Sequence, residues 1–279
     1  NLVTNAVWED GWLNEGFTTY LERRIVEVIY GRDRAAMEDA LGMQSLQRDM
    51  DALTKGGDEA LTKLAVDLKG RDPDDGFSDV AYEKGRFFVG FLESRLGRDE
   101  LDEFLRGYFS RFAFQSVSTD DFRAYLGEHV LNAPNAKLTL AEVNAWIDQP
   151  GLPSTVVMPQ SNAFEVVDVA GEEWLQGRAQ ASALRTSSWT THQWLHFLDN
   201  LPPPTSAESK NSEIAHSWLK NAIRADYAPA YPRLEAYLTS IGRRKLVKDL
   251  YEELAKTPQG KARAQAIYRQ ARAMYQVPL

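Results

Sequence analysis

From Glu9 to Tyr30 the apolar residues Trp12, Leu13, Phe17, Tyr20, Leu21, Ile25 and Val28 fall three or four apart. That is the spacing of one face of an α-helix, and Gly31 follows as a stop. The same period returns along nearly the whole chain. It predicts helices from Asp33 through Leu46, from Asp79 to Leu96, and over 99–112, 119–130 and 139–148. Thr139 and Glu142 have the spacing of a capping box at the start of the last of these. Residues 54–78 are rich in Gly and Asp, and Asp72-Pro73-Asp74-Asp75-Gly76 is a turn signal. Pro150-Gly151-Leu152-Pro153 and Pro159 break the pattern, and helices resume near 188–199, 211–224, 228–241, 243–256 and 259–274. Within 164–186, Val166-Val167-Asp168-Val169 is compatible with a short strand. The expected fold is mostly α. Its two domains cover 1–148 and 164–279, joined by a Pro-rich linker over 149–163, as 279 residues favour. Helices of this length on short loops predict an α-solenoid (armadillo-like) layer for the second domain. The absence of a fixed repeat argues against a tetratricopeptide or ankyrin array.

Composition narrows the function classes. The net charge is -8, with no basic patch dense enough for nucleic acid. There is no cysteine, hence no thiolate metal site and no disulfide framework. This fits the cytoplasm and is compatible with the periplasm. No apolar run reaches the ~20 residues of a membrane-spanning helix, and the N-terminus reads as no signal peptide.

The chemistry-bearing candidates are few. Glu15 stands in Trp12-Leu13-Asn14-Glu15-Gly16, and Tyr82 in Tyr82-Glu83-Lys84-Gly85. Most helical glutamates are solvated surface groups, and most tyrosines at helix starts are amphipathic edges. Asp74 lies in the turn segment, where aspartates usually shape the backbone. Arg243 and Lys245 open a late helix, where basic clusters are commonly solvated. His192 and His196 are four apart, as in an HExxH motif, but Gln193 replaces the general base. They read as ordinary helix residues.

Taken together and in order, Asn1-Leu-Val-Thr-Asn5, WLNEG, YEKG, Pro150-Gly-Leu-Pro153, Asn211-Ser-Glu-Ile214 and Gly242-Arg243-Arg244-Lys245 resemble the gluzincin zinc aminopeptidases of the aminopeptidase N and leukotriene hydrolase type. They are nearest to the leukotriene hydrolase branch. The resemblance implies that residues 1–148 are the helical half of a thermolysin-like catalytic domain. It also implies a single zinc ion held by two histidines of an HExxH helix and by a glutamate about 18 residues further on. Only 14 residues precede Glu15, so the two histidines are expected upstream of Asn1. By the same resemblance Glu15 is a metal ligand and Tyr82 a catalytic residue that stabilises the oxyanion. Asp74 favours basic N-terminal side chains, and Arg243 and Lys245 bind the substrate carboxylate. Phe77 stands where that branch has a tyrosine, which puts epoxide chemistry in doubt.

The implied function is the C-terminal portion of an aminopeptidase that removes N-terminal residues from short peptides by attack of zinc-bound water. The isolated chain is expected to be inactive. The alternative is a non-catalytic helical module that binds peptides or proteins, as a pseudoenzyme or scaffold. A truncated catalytic domain is expected to leave Trp8, Trp12 and Phe17 bare and to self-associate.

Overall fold

A computed structural model describes residues 2–76, 78–180, 184, 186–200, 211–272 and 275; Phe77 and Pro202-Pro203-Pro204 lie outside the described residues. The chain divides into two compact units, Asn1–Ser161 and Asn162–Leu279.

The first unit is built around α1 (Gly11–Tyr30), which packs on α2 (Arg32–Gly56), on a π-helical turn (Val80–Lys84) and on α3 (Gly85–Leu96). Then come α4 (Arg98–Arg111), α5 (Thr119–Leu126), a second π-helical turn (Gly127–Leu131) and α6 (Leu140–Ile147). Ser118 and Thr139 close reciprocal capping boxes at the starts of α5 and α6. The strand content of the described residues is one parallel pairing of Thr4–Asn5 with Ser116–Val117.

The core of this unit is aromatic. Trp12 meets Phe88 and Phe122 at ring-centroid distances of 5.6 and 5.5 Å, and Phe88 meets Trp146 at 6.0 Å. Each such ring taken from water contributes about 1.5–3 kcal/mol. Asp10 is buried just before α1. Its carboxylate accepts the Thr119 amide at 2.8 Å and the Thr119 hydroxyl at 2.7 Å, while the Trp12 indole N–H donates to that hydroxyl at 3.0 Å.

Two expectations are corrected here. Helix α2 runs ten residues past Leu46, to Gly56, where Gly57 stops it at φ 84°. Trp12 and Phe17 are not bare: they lie in the core at 1% and 4% exposure, and only Trp8 faces solvent. The exposed apolar surface of α1 is its second half, where Leu21, Ile25, Val28, Ile29 and Tyr30 are uncovered. The period of 3.6 marks which residues share a face but not what packs on it.

The second unit is all-helical and of α-solenoid type, made of α7 (Asn162–Leu175), α8 (Thr191–Asn200), α9 (Ser212–Arg224), α10 (Tyr231–Leu238), α11 (Arg244–Ala255) and α12 (Pro258–Ala271). α7 packs on α8, α8 on α9, α9 on α11 and α11 on α12, so each layer buries its apolar face on the next. Val166–Val169 lies within α7 and not in a strand, because Phe164, Val167 and Gly171 form a buried helical face there. His196 is buried against the Phe164 ring, with Nε2 2.7 Å from Asp168 Oδ1.

Candidate active site

Helix α1 and the π-helical turn bring Glu15 and Tyr82 together from 67 positions apart in the sequence. The Tyr82 phenol lies beside the Glu15 carboxylate, close enough for each to shift the other's protonation. Glycines permit the approach. A Cβ added at Gly16 would lie 2.7 Å from Gly85 Cα, and one added at Gly85 would lie 2.8 Å from Gly16 Cα. The backbones of α1 and α3 therefore touch beside the residue pair.

The first turn of α1 is fixed as well. The Asn5 amide donates to Asn14 Oδ1 at 3.1 Å and the Asn14 amide group donates to Asn5 Oδ1 at 2.5 Å, so the Thr4–Asn5 strand holds the residue beside Glu15.

Glu15 is half-buried, and no Lys, Arg or His pairs with it among the described residues. Burial raises its carboxyl above the ordinary value, and the nearby Tyr82 hydroxyl only partly opposes this. Tyr82 is 37% exposed. Burial, then the neighbouring Glu15 carboxylate, then Asp79, push its phenol above 10. It is therefore a neutral donor at pH 7.

On the other side of the turn, Lys84 is fully buried and donates to the Thr62 carbonyl at 2.8 Å and the Gln149 carbonyl at 2.9 Å. With no carboxylate against it among the described residues, burial pushes its ammonium down to about 7. Glu83 pairs with Arg23 at 3.2 Å within a cluster that also holds Glu38, Asp39 and Arg86.

Asp74 is exposed in a 3-10 turn (Pro73–Gly76) that lies against the turn preceding α1, and its own amide donates to Asp72 Oδ1 at 3.0 Å. Arg243 is the N-cap residue of α11. It is exposed and pairs with Glu213 at 3.4 Å, while Lys245 is exposed one residue inside the helix. Sequence reasoning passed over Glu83, Lys84 and Arg23. One signal was present for Lys84: it falls three residues after Ala81 and four before Phe88, on the apolar face.

A carboxylate that is half-buried and has no cation suits one position of a zinc site. It does not complete one. Among the described residues no group of three or more His, Cys, Asp or Glu side chains could hold a metal ion.

The family description "Peptidase family M1 domain" matches residues 1–146, more than half of the chain. The chain belongs to peptidase family M1. A second description, "Leukotriene A4 hydrolase, C-terminal", matches residues 204–278. Among curated M1-type relatives, a leucine aminopeptidase 2 of Ajellomyces capsulatus is 33% identical over 277 residues, covering 92% of this chain and 44% of the relative. Human aminopeptidase B is 30% identical over 280 residues, covering 91% and 43%. The M1 chain thus spans less than half the length of the relatives it matches. A solved structure of yeast LTA4 hydrolase in complex with bestatin is similar with a TM-score of 0.82 at 28% identity, covering 99% of this chain and 49% of that one. The fold is that of the helical portion of these metallopeptidases. No helix of the described residues is long and apolar enough to cross a membrane.

Proposed function

We propose that residues 1–279 are part of a zinc aminopeptidase that removes N-terminal residues from short peptides with a free N-terminus. One observation carries the reading: a half-buried carboxylate without a cationic partner meets a phenol from a distant element. In this reading Glu15 is one ligand of a single zinc ion, and two histidine ligands come from outside these residues. The ion, when bound, polarises the substrate carbonyl and activates water.

The chain's own residues then have separate tasks. Glu15 supplies negative charge at a fixed point on α1. Tyr82 stays protonated and donates to the carbonyl oxygen as charge develops there, where a preorganised donor is worth most. Asp74, exposed at the loop near the start of α1, favours basic N-terminal side chains. Arg243 and Lys245 receive the carboxylate of short peptides, Arg as a fork and Lys as a point charge. With one metal-ligating carboxylate, residues 1–279 alone form no working centre.

The test uses the longest reading frame that contains residues 1–279, assayed on aminoacyl 4-nitroanilides. Tyr82→Phe is expected to lower kcat by about 10²–10³ with KM unchanged, the loss of one oxyanion donor. An unchanged kcat would remove Tyr82 from the chemistry.

A further inference from the structure

Glu83 is the neighbour of Tyr82 in the π-helical turn, and its side chain is largely buried. Its Oε1 lies 3.2 Å from Arg23 Nη2, with 13% and 12% of the two side chains exposed. Arg23 stands eight residues beyond Glu15, about two turns along α1. The π-helical turn is therefore tied to the same helix twice, through Tyr82 to Glu15 and through Glu83 to Arg23. Helix α2 makes room for the second tie. A Cβ at Gly42 would collide with the Glu83 carboxylate.

As a stabilising device this arrangement is poor. Glu83 Oε2 is buried without a hydrogen-bond partner. Burial pushes the carboxyl up to about 7 in spite of Arg23 and Arg86. Buried ion pairs replaced by apolar groups of similar volume are often neutral or more stable. Arg23 would not be stranded by such a change, since Glu22, Glu38 and Asp39 also lie within 3.0–3.4 Å of it. A charge kept at a cost to stability, next to a phenol that meets another carboxylate, points to placement of that phenol.

We propose that Glu83, anchored by Arg23, is a positioning residue: it holds the π-helical turn against α1 so that the Tyr82 hydroxyl stays on Glu15. The proposal rests on the reading of Tyr82 given above.

The experiment is a double-mutant cycle in the full-length enzyme, with kcat, KM and melting temperature measured for each variant. Glu83→Met keeps the volume and removes the tie. It is expected to lower kcat about 10–100-fold, the scale of a small misplacement, with KM unchanged and the melting temperature equal or higher. Glu83→Gln still accepts from Arg23 and is expected to keep kcat near the parent. In a Tyr82→Phe background the Glu83→Met effect is expected to vanish. A full Glu83→Met effect in that background, or none in the parent, would overturn the positioning role. An inert Tyr82→Phe would instead sink the reading on which it rests. Should Glu83→Met fail to fold, Gly42→Ala displaces the same carboxylate from the opposite helix and carries the cycle with the same kcat and KM outcomes, at a lower melting temperature.

Discussion

Replacing Gly16 by alanine is a sharp test of how α1 meets α3. The added methyl would sit 2.7 Å from Gly85 Cα and 2.8 Å from Gly85 C, where ordinary contact begins at 3.4 Å. Both obstacles are backbone, so no side chain can swing away. The helices must part by at least 0.7 Å along that line, and they part where Trp12 meets Phe88. Overpacking of this kind costs about 1–3 kcal/mol. Alanine's better helix propensity returns up to about 1 kcal/mol of that. The net expectation for Gly16→Ala is a loss of roughly 1–2 kcal/mol. The internal control is Gly127→Ala. Gly127 has no atom within 4 Å of an added Cβ and a φ of -58°, so the same change there is expected to stabilise by about 0.4–1 kcal/mol. Urea unfolding of residues 1–279, followed by tryptophan fluorescence, compares the two midpoints. A Gly16→Ala protein as stable as the parent would refute the account of the contact.

Two further outcomes are expected. Asp10→Ala leaves the buried Thr119 amide without its acceptor and should lower unfolding stability by about 1–3 kcal/mol, whereas Asp10→Asn keeps an acceptor oxygen and should lose less; equal losses in urea unfolding would contradict the assigned bonds. Glu83 has a folded-state carboxyl raised from 4.5 to about 7, so between those values the folded state keeps a proton that the unfolded chain releases, and this group's contribution to stability falls as pH rises. The melting temperature of Glu83→Gln relative to the parent should therefore climb from pH 5 to pH 7.5, and a flat difference would show that the carboxylate is not desolvated.

Most helices were legible because the apolar period and, as at Thr139, the cap agree. The sequence reading of α2 stopped at Leu46, although Met50, four residues further on, still buries its side chain on the same helix. The Val166–Val169 segment was ambiguous because four residues of β-rich composition cannot outweigh the i, i+3, i+7 face of Phe164, Val167 and Gly171. At the candidate site, Glu15 and Tyr82 were legible as residues in a familiar order. Their contact was not, since it depends on two glycines whose meeting is a tertiary event. Nothing in the sequence announced that Val80–Lys84 is a π-helical turn, or that Glu83 points into an ion cluster with Arg23, Arg86, Glu38 and Asp39. Charged residues read as exposed by default, and that default fails at Glu83 and Lys84.

Trp12 gives the protein a built-in optical gauge. It precedes Glu15 by three residues, is 1% exposed, and lies against Phe88, which follows Tyr82 by six. Its indole environment is set by the same helix–helix contact that sets the distance between carboxylate and phenol. Any change that loosens one alters the colour and quenching of the other, so in a protein whose other six tryptophans are replaced the geometry of the pair can be followed by light without a substrate, a label or an introduced thiol.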